Sequence, residues 1–513
     1  MNFPLCRVVT VAAIAAMSVS AVEPVDPSRM LRVGTVDERF QSFNIEMVEV
    51  TGGRFWAAYK KAGAPEAPQA GHSSIPGLDA SAFRYRPPID LTNARLRKLA
   101  AALGPSYMRV SGTWANSTYF HDSDGPAPKT PPDGFGGVLT WAEWKNVLDF
   151  SRATDAKIIS SVAISAGVRD ANGVWTAGQA EKLLAFTKAS GGSIAAMEFF
   201  NEPTFAAMGG APKGYDAAAY GRDFKVFVPF LRKASPETIL LGPGSVGEAA
   251  SLGPVMSIVK SEDMLQATGP GVDAFSYHFY GGVSKRCQGK ISTDEALSED
   301  WLARTERDEA FYAALRDRFE PGKPMWLTET GEAACGGDPF ASTFTDSFRY
   351  LEQLARLAKR GVQVVAHNTL AASDYGLIDE DTLVPRPDYW SALLWHTLMG
   401  KTVLDAGASD TPQVHLYAHC LPKRAGGVTL LAINTDRDGA HELTTSTKSE
   451  RYTLSAKDLL GTQVDLNGVA LALGANDALP KIKGIKAAAG AVTLAPATIT
   501  FLAFPNAKNA SCQ

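Results

Sequence analysis

The chain has 513 residues, with 50 Lys or Arg against 54 Asp or Glu, a net charge of −4, and 45% hydrophobic residues. Near-balanced charge with that apolar share excludes a disordered chain. No run of five Lys or Arg occurs, which argues against a nucleic-acid binder, and ordinary Gly and Pro totals exclude collagen-like or low-complexity character.

The first segment reads as a discarded signal. Arg7 precedes the apolar stretch Val8 to Met17, and Ser18-Val19-Ser20-Ala21 follows, which together give a charged start, a short apolar core and a small-residue cleavage site. A secretory signal peptide over 1–21 is therefore expected, with a secreted or periplasmic destination. It is too short for a membrane span, and no later segment reaches about 18 apolar residues in a row. Removing it removes Cys6 and leaves Cys287, Cys335, Cys420 and Cys512, an even number in an oxidising compartment.

Residues 22–39 form an N-terminal segment whose stretch 30–36 could add a strand to a later β-domain. From 40 to 400, short apolar runs alternate with helical periods. Strands are expected at 41–46, 106–111, 157–164, 195–200, 238–242, 273–279, 324–328 and 362–367. Amphipathic helices are expected at 91–103, 141–153, 177–189, 216–234, 301–318 and 343–360. Eight strands alternating with helices fit a (β/α)8 TIM barrel better than a doubly wound open sheet. Beyond 401 the period shortens to two at 414–419, 428–433 and 497–503, between turn-rich pieces such as Thr435 to Gly439. This predicts a β-sandwich domain over 401–513.

Two carboxylates occupy distinctive places. Glu202, in Phe199-Phe200-Asn201-Glu202-Pro203, ends the fourth strand, and Glu329, in Trp326-Leu327-Thr328-Glu329-Thr330, ends the seventh. Strand C-termini of such a barrel carry its active site. A facing pair of acids there suits glycosidic bond cleavage, one protonating the leaving oxygen and the other attacking the anomeric carbon.

These motifs resemble the retaining glycosidases with catalytic residues on strands four and seven. More narrowly, the chain is similar to glycoside hydrolase family 79, the heparanase and β-glucuronidase-like enzymes. Tyr107 to Thr113, Tyr277-His278-Phe279-Tyr280, Asp388 to Leu394, Tyr375 to Asp379 and the closing Asn506 to Cys512 carry the likeness with the two glutamate motifs. The resemblance implies Glu202 as acid/base and Glu329 as nucleophile, with no metal or organic cofactor. It implies Asn201 on the sugar 2-hydroxyl, and His278 and Tyr280 lining the sugar subsite, with Tyr280 able to hold the attacking carboxylate. It also implies Tyr375 and the backbone N–H groups of Gly336 and Gly337 on a glucuronate carboxylate. Glu46 and Thr113, at the ends of strands one and two, are weaker candidates for sugar hydroxyls. The expected partner is an oligosaccharide or glycoside with a uronic acid. Another sugar specificity (β-glucosidase, β-xylosidase or diglycosidase) and a non-catalytic carbohydrate-binding protein are the alternatives.

Departures narrow the expectation. The basic cluster that animal heparanases carry after strand five is absent from 242–249, and only Lys285 and Arg286 offer positive charge near the cleft. A highly sulfated substrate is therefore disfavoured. Cys335 stands where those relatives have Gly. The loop from Pro126 to Gly137 is too short for their excised linker, so an unprocessed chain is expected. The resemblance implies a Cys420–Cys512 bridge. Cys287 and Cys335 follow neighbouring strands and could form a second at the rim, or remain separate thiols.

Three further features invite other functions. Gly242-Pro243-Gly244-Ser245-Val246-Gly247 has dinucleotide-loop spacing but lacks the later acidic residue, and reads as a barrel loop. His415, His419 and Cys420 look metal-like, yet strand alternation puts Cys420 opposite the two His. Trp114, Tyr119 and Phe120 are either a sugar-stacking platform or loop packing.

Overall fold

The computed structural model describes residues 23–59, 80–249 and 258–513, so the expected signal segment lies outside the described residues. Eight parallel strands close into a barrel: β1 Gln41–Glu46, β2 Ser106–Ser111, β3 Ala156–Ser161, β4 Ile194–Glu198, β5 Ile239–Ser245, β6 Ala274–Tyr280, β7 Met325–Gly331 and β8 Val364–His367. A helix follows each in turn, at Ala94–Ala101, Trp141–Thr154, Gly178–Ala189, Ala217–Ala234, Ser261–Thr268, Arg304–Phe319, Phe344–Lys359 and Pro387–Leu398. Both faces of these strands are covered, so even the polar residues of β1 and β2 are buried.

Alternation along the strands layers the interior. Tyr107, Ile159, Ala196, Leu241, Ala274, Trp326 and Val364 form an apolar plug, with the Tyr107 and Trp326 rings 5.0 Å apart. Two residues further along β2 and β4 the same inward face carries Arg109 and Glu198, both fully buried. The barrel thus turns from apolar to charged as it nears the strand C-termini. Strict alternation from Trp326 would aim Glu329 outward. The pairing of β7 shifts register against both neighbours here, between Tyr277 and His278 and between Leu327 and Thr330.

The C-terminal part is antiparallel. Its large sheet runs in the order 32–35, 402–404, 414–420, 428–434, 498–504, 449–455, 465–466 and 469–470, with 485–487 also on 449–455. His441–Thr445 and Gly490–Leu494 form a second, two-stranded sheet. Alternate residues Leu416, Leu430 and Phe504 pack towards Val492 and Leu494 of that small sheet. Leu431, Ile433 and Phe501, on the other face, join the core shared with the barrel. A TIM barrel carrying a separate antiparallel sheet domain is therefore the architecture.

Polar groups also join the two parts. Glu352, buried on the helix after β7, accepts from Tyr417 Oη at 2.6 Å and Arg356 Nε at 2.7 Å and lies 2.6 Å from His415 Nδ1. His415 and Tyr417 share this face of strand 414–420, while Cys420 faces away and bridges Cys512. His419 is likewise buried, with Nδ1 2.5 Å from the Gly400 carbonyl, so the metal-like trio is strand packing.

Several elements differ from expectation. The antiparallel pair Gly53–Trp56 with Phe83–Arg86 and the parallel pair Thr118–His121 with Gly137–Thr140 were not predicted. Both are four-residue strands, too short to show a period. The glycine-rich motif expected as a loop after strand five lies mostly within it, since β5 runs to Ser245 and takes four of the six motif residues. Gly244 has φ +72°, and a Cβ there would sit 3.2 Å from Glu198 Oε1.

Candidate active site

The charged floor of the barrel centres on Arg109. Its guanidinium donates to Glu198 Oε2 through Nε at 3.0 Å and Nη2 at 2.8 Å, to Glu329 Oε2 through Nη1 at 2.7 Å, and to Asn201 Oδ1 at 2.8 Å. One planar group thus joins β2, β4 and β7, which a lysine ammonium could not do with the same fixed geometry. Glu198 also accepts from Thr328 Oγ1 at 2.6 Å. Burial alone would raise the Glu198 carboxyl, but Arg109, then His278 and Thr328, outweigh it and hold it well below the usual range.

Around this floor stand the predicted acids. Glu329 is nearly buried, and its Oε1 accepts from Tyr280 Oη at 2.7 Å. Glu202 follows β4 with φ +50°, a left-handed turn that starts the short 3-10 segment Pro203–Phe205. Its side chain is 19% exposed and lies 3.2 Å from His278 Nδ1. One carboxylate oxygen of each acid and a ring nitrogen of His278 all lie within 4.8 Å of one another. Distance alone would suit a cation. However, Arg109 and Tyr280 already donate to both oxygens of Glu329, which marks this as an ion-pair network.

The environments separate the two ends of the pair. Burial first, then the charge of Glu329, raises the Glu202 carboxyl, with His278 opposing. Burial would lower His278, but the charge of Glu329 and the carboxylates of Glu198, 3.8 Å from Nε2, and Glu202, 3.2 Å from Nδ1, push it up to about 9, which favours the cation at neutral pH. Glu46, at the end of β1, is buried beside Glu329, and its carboxyl is pushed well up by desolvation and by that neighbouring charge. Gly112 must be glycine here, because a Cβ would fall 1.4 Å from Glu46 Oε2.

The remaining candidates form the rim. Asn368 Nδ2 donates to Tyr280 Oη at 3.0 Å and Tyr375 Oη at 3.2 Å, tying the two tyrosines together. Gly336 and Gly337 have φ +85° and +82°, and a Cβ on Gly337 would meet Tyr375 N at 3.2 Å. The Gly337 N–H already donates to the Ala333 carbonyl at 3.1 Å, whereas among the described residues the Gly336 N–H meets no acceptor. Cys287 and Cys335 are bridged, joining the loops after β6 and β7. Thr113 starts the 3-10 turn Thr113–Ser117, and no hydrogen bond links it to the acids among the described residues. Trp114 packs with Phe55 at 5.1 Å in the aromatic wall that includes Tyr280 and Tyr375. Phe120 is core against Phe186, and Tyr119 packs on Phe135.

The residues that sequence reasoning passed over are Arg109, Glu198, Asn116 and Asn368. A signal existed for the first two, since a charge inside an otherwise apolar buried strand needs a partner. Asn116 grips the backbone of Asn201, with Nδ2 on its carbonyl and Oδ1 on its N–H, both at 2.9 Å. That contact spans a long sequence separation and left no local trace.

A model of the glycosyl hydrolase family 79 N-terminal domain matches residues 87–355, just over half of the chain. Heparanase-like protein 1 of Arabidopsis thaliana is 31% identical over 369 residues, covering 67% of this chain and 65% of that relative, so the match spans slightly under two thirds of its length. Baicalin-β-D-glucuronidase of Scutellaria baicalensis is 33% identical over 227 residues, 41% of this chain and 43% of that protein. Among solved structures, the α-L-arabinofuranosidase of Thermotoga petrophila superposes with a TM-score of 0.63 over 94% of this chain and 99% of that one. At 14% identity, that likeness concerns the fold alone. The chain belongs to glycosyl hydrolase family 79.

Proposed function

We propose that this protein is a retaining glycoside hydrolase that releases β-linked glucuronic acid from a glycan or glycoside. The observation that carries the mechanism is the approach of Glu202 and Glu329 carboxylate oxygens to within 4.8 Å across the barrel mouth. Retaining enzymes hold their two carboxyl groups about 5–5.5 Å apart, whereas inverting ones need ~6.5–9.5 Å to admit water. The glucuronide preference rests on the relatives, one of which is by name a β-D-glucuronidase.

In the proposed cycle Glu329 attacks the anomeric carbon while Glu202, whose carboxyl pKa burial and the Glu329 charge raise, gives its proton to the leaving oxygen. A water then enters, Glu202 takes its proton, and the glycosyl ester on Glu329 is cleaved with net retention. Tyr280 Oη and Arg109 hold the nucleophile's two oxygens in place. Arg109 can only donate, so Asn201 must present Oδ1 to it, which leaves Nδ2 to donate to the sugar 2-hydroxyl. Tyr375 and the Gly336 N–H would meet the uronate carboxylate. Two disulfides suit an exported protein.

Glu329→Ala should abolish turnover of an aryl β-D-glucuronide, and a 2-deoxy-2-fluoro glucuronide should label Glu329 covalently. Turnover by Glu329→Ala, or an inverted first-formed product, would sink the mechanism. Faster cleavage of aryl glucosides or xylosides would keep the mechanism and replace the sugar.

A further inference from the structure

The rim loop Cys335-Gly336-Gly337 is left-handed at three successive residues, φ +64°, +85° and +82°. For Cys335, which has a Cβ, that conformation needs outside support. Arg286, in the loop after β6, supplies it. Its Nη1 donates to the Cys335 carbonyl and to the Gly337 carbonyl, each at 2.9 Å, so it spans the outer residues of the run. Its Nη2 pairs with Asp374, the residue before Tyr375. Its flat face lies 3.8 Å from the ring centroid of Tyr59, in the loop after β1, and the Tyr59 N–H donates to Asp374 at 3.0 Å.

The next residue, Cys287, adds the covalent bridge to Cys335. Between them, Ser373 Oγ and Asp374 N donate to the Gly336 carbonyl at 2.9 and 3.2 Å. Four rim loops, after β1, β6, β7 and β8, therefore converge on one guanidinium whose side chain is only 6% exposed. The charge of Arg286 is already met by Asp374 in direct contact. Its contribution is therefore geometric, since it fixes where the Gly336 N–H and Tyr375 point.

We propose that Arg286, with the adjoining Cys287–Cys335 bridge, is a positioning clamp that sets selectivity for a uronic acid over the corresponding neutral sugar. The inference rests on the glucuronidase reading above. The two sugars differ only at carbon six, a carboxylate against a hydroxymethyl, so a displaced loop harms one and spares the other. Among the described residues, no hydrogen bond or ion pair joins Arg286 or the Cys287–Cys335 bridge to Glu202 or Glu329.

The test compares kcat/KM for an aryl β-D-glucuronide and the matching β-D-glucoside in the full chain, for Arg286→Lys, Arg286→Ala and the double variant Cys287→Ser/Cys335→Ser. Folding of each is checked by its thermal transition. A loop shift of about 1 Å should lower the glucuronide value by about a hundredfold, mainly through KM, and change the glucoside value by less than about threefold. Arg286→Lys should fail to rescue, because one ammonium cannot bridge two carbonyls and a carboxylate as the fork does. If Arg286→Ala does not fold, the lysine and double-serine variants carry the test. A wild-type selectivity ratio in any folded variant, full rescue by lysine included, overturns the clamp. A wild-type enzyme that prefers the glucoside instead overturns the glucuronide reading, so the two failures are distinguishable.

Discussion

Replacing His278 with glutamine removes a buried positive charge while leaving an amide that can still donate towards Glu202. At neutral pH the imidazole is charged, since its pKa is pushed up to about 9, and its Nδ1 lies 3.2 Å from Glu202 Oε1. Two full charges at that distance would interact by about 5 kcal/mol at an effective dielectric of about 20. The imidazolium charge is spread over the ring, and the Glu202 side chain is 19% exposed, so about 1–3 kcal/mol is the realistic scale. That corresponds to about one to two pH units. The sign follows from which form His278 favours. A cation beside Glu202 stabilises its carboxylate, so removing the cation makes the protonated acid easier to keep. The alkaline limb of kcat/KM, where Glu202 loses its proton, should therefore move to higher pH in His278→Gln. The profile must be measured with a poor leaving group, so that proton donation stays within the limiting step. An alkaline limb that stays in place or moves to lower pH would refute the assignment of Glu202 as the acid under His278 control.

Glu202→Ala should lose most activity towards poor leaving groups and much less towards activated aryl ones, and azide should restore turnover with formation of a β-glycosyl azide. An α-azide, or equal losses on both leaving-group classes, would contradict the acid/base role. Removing the Cys420–Cys512 bridge, which closes a separation of 92 residues, should cost about 4.6 kcal/mol of unfolding free energy in the chain-entropy model, read from denaturant midpoints. No shift in midpoint would mean the tail is held by packing alone. At the seam between barrel and sheet domain, His415 is raised, because hydrogen bonding and charge from Glu352 outweigh burial. Its stabilising contribution is complete below its unfolded value of about 6.5 and is lost as pH rises through the folded value. Tm should accordingly fall less between neutral and alkaline pH in His415→Gln than in the wild type. A parallel Tm–pH curve for the two proteins would show that this pair adds nothing.

The barrel was legible because short strand-like runs alternate with amphipathic helical periods, and both signals are local. The Glu202 and Glu329 motifs were legible because each follows an apolar run and sits where a strand should end. What escaped depended on distance in sequence or on irregular backbone. Asn116 reaches Asn201 across 85 residues, and Asn368 ties Tyr280 to Tyr375 only once β6 and β8 are in place. The register shift that accompanies Glu329 at the barrel mouth follows no periodic rule. Gly244 and Gly112 were visible as glycines, yet their reason is the approach of Glu198 and Glu46, which only the closed barrel creates. Cys287 and Cys335 could be judged neighbours from strand order, but Arg286 beside them read only as loose positive charge near the cleft.

The proposed mechanism asks different roles of two carboxyl groups of one chemical kind, and their immediate neighbours differ. Glu329 receives Arg109 and Tyr280, both strong donors at 2.7 Å, whereas among the described residues the Glu202 side chain meets only His278, at the longer 3.2 Å. Arg109 can serve Glu329 in one fixed orientation because Glu198 takes its Nε and Nη2. A neutral partner in place of Glu198 would leave the buried guanidinium undercompensated, and such groups are costly. In the barrel mouth Arg109 and His278 face Glu198 and Glu329, while burial raises the carboxyls of Glu202 and Glu46. A uronate entering that mouth adds one more anion. Its carboxylate is best accommodated away from Glu329, and the geometry offers such a place at the rim, where Gly336 and Tyr375 stand beside the Arg286–Asp374 pair. Under the proposed reading, catalysis and sugar selection thereby fall to separate sets of residues, the first on strand β7 and the turn after β4 and the second on cross-linked rim loops.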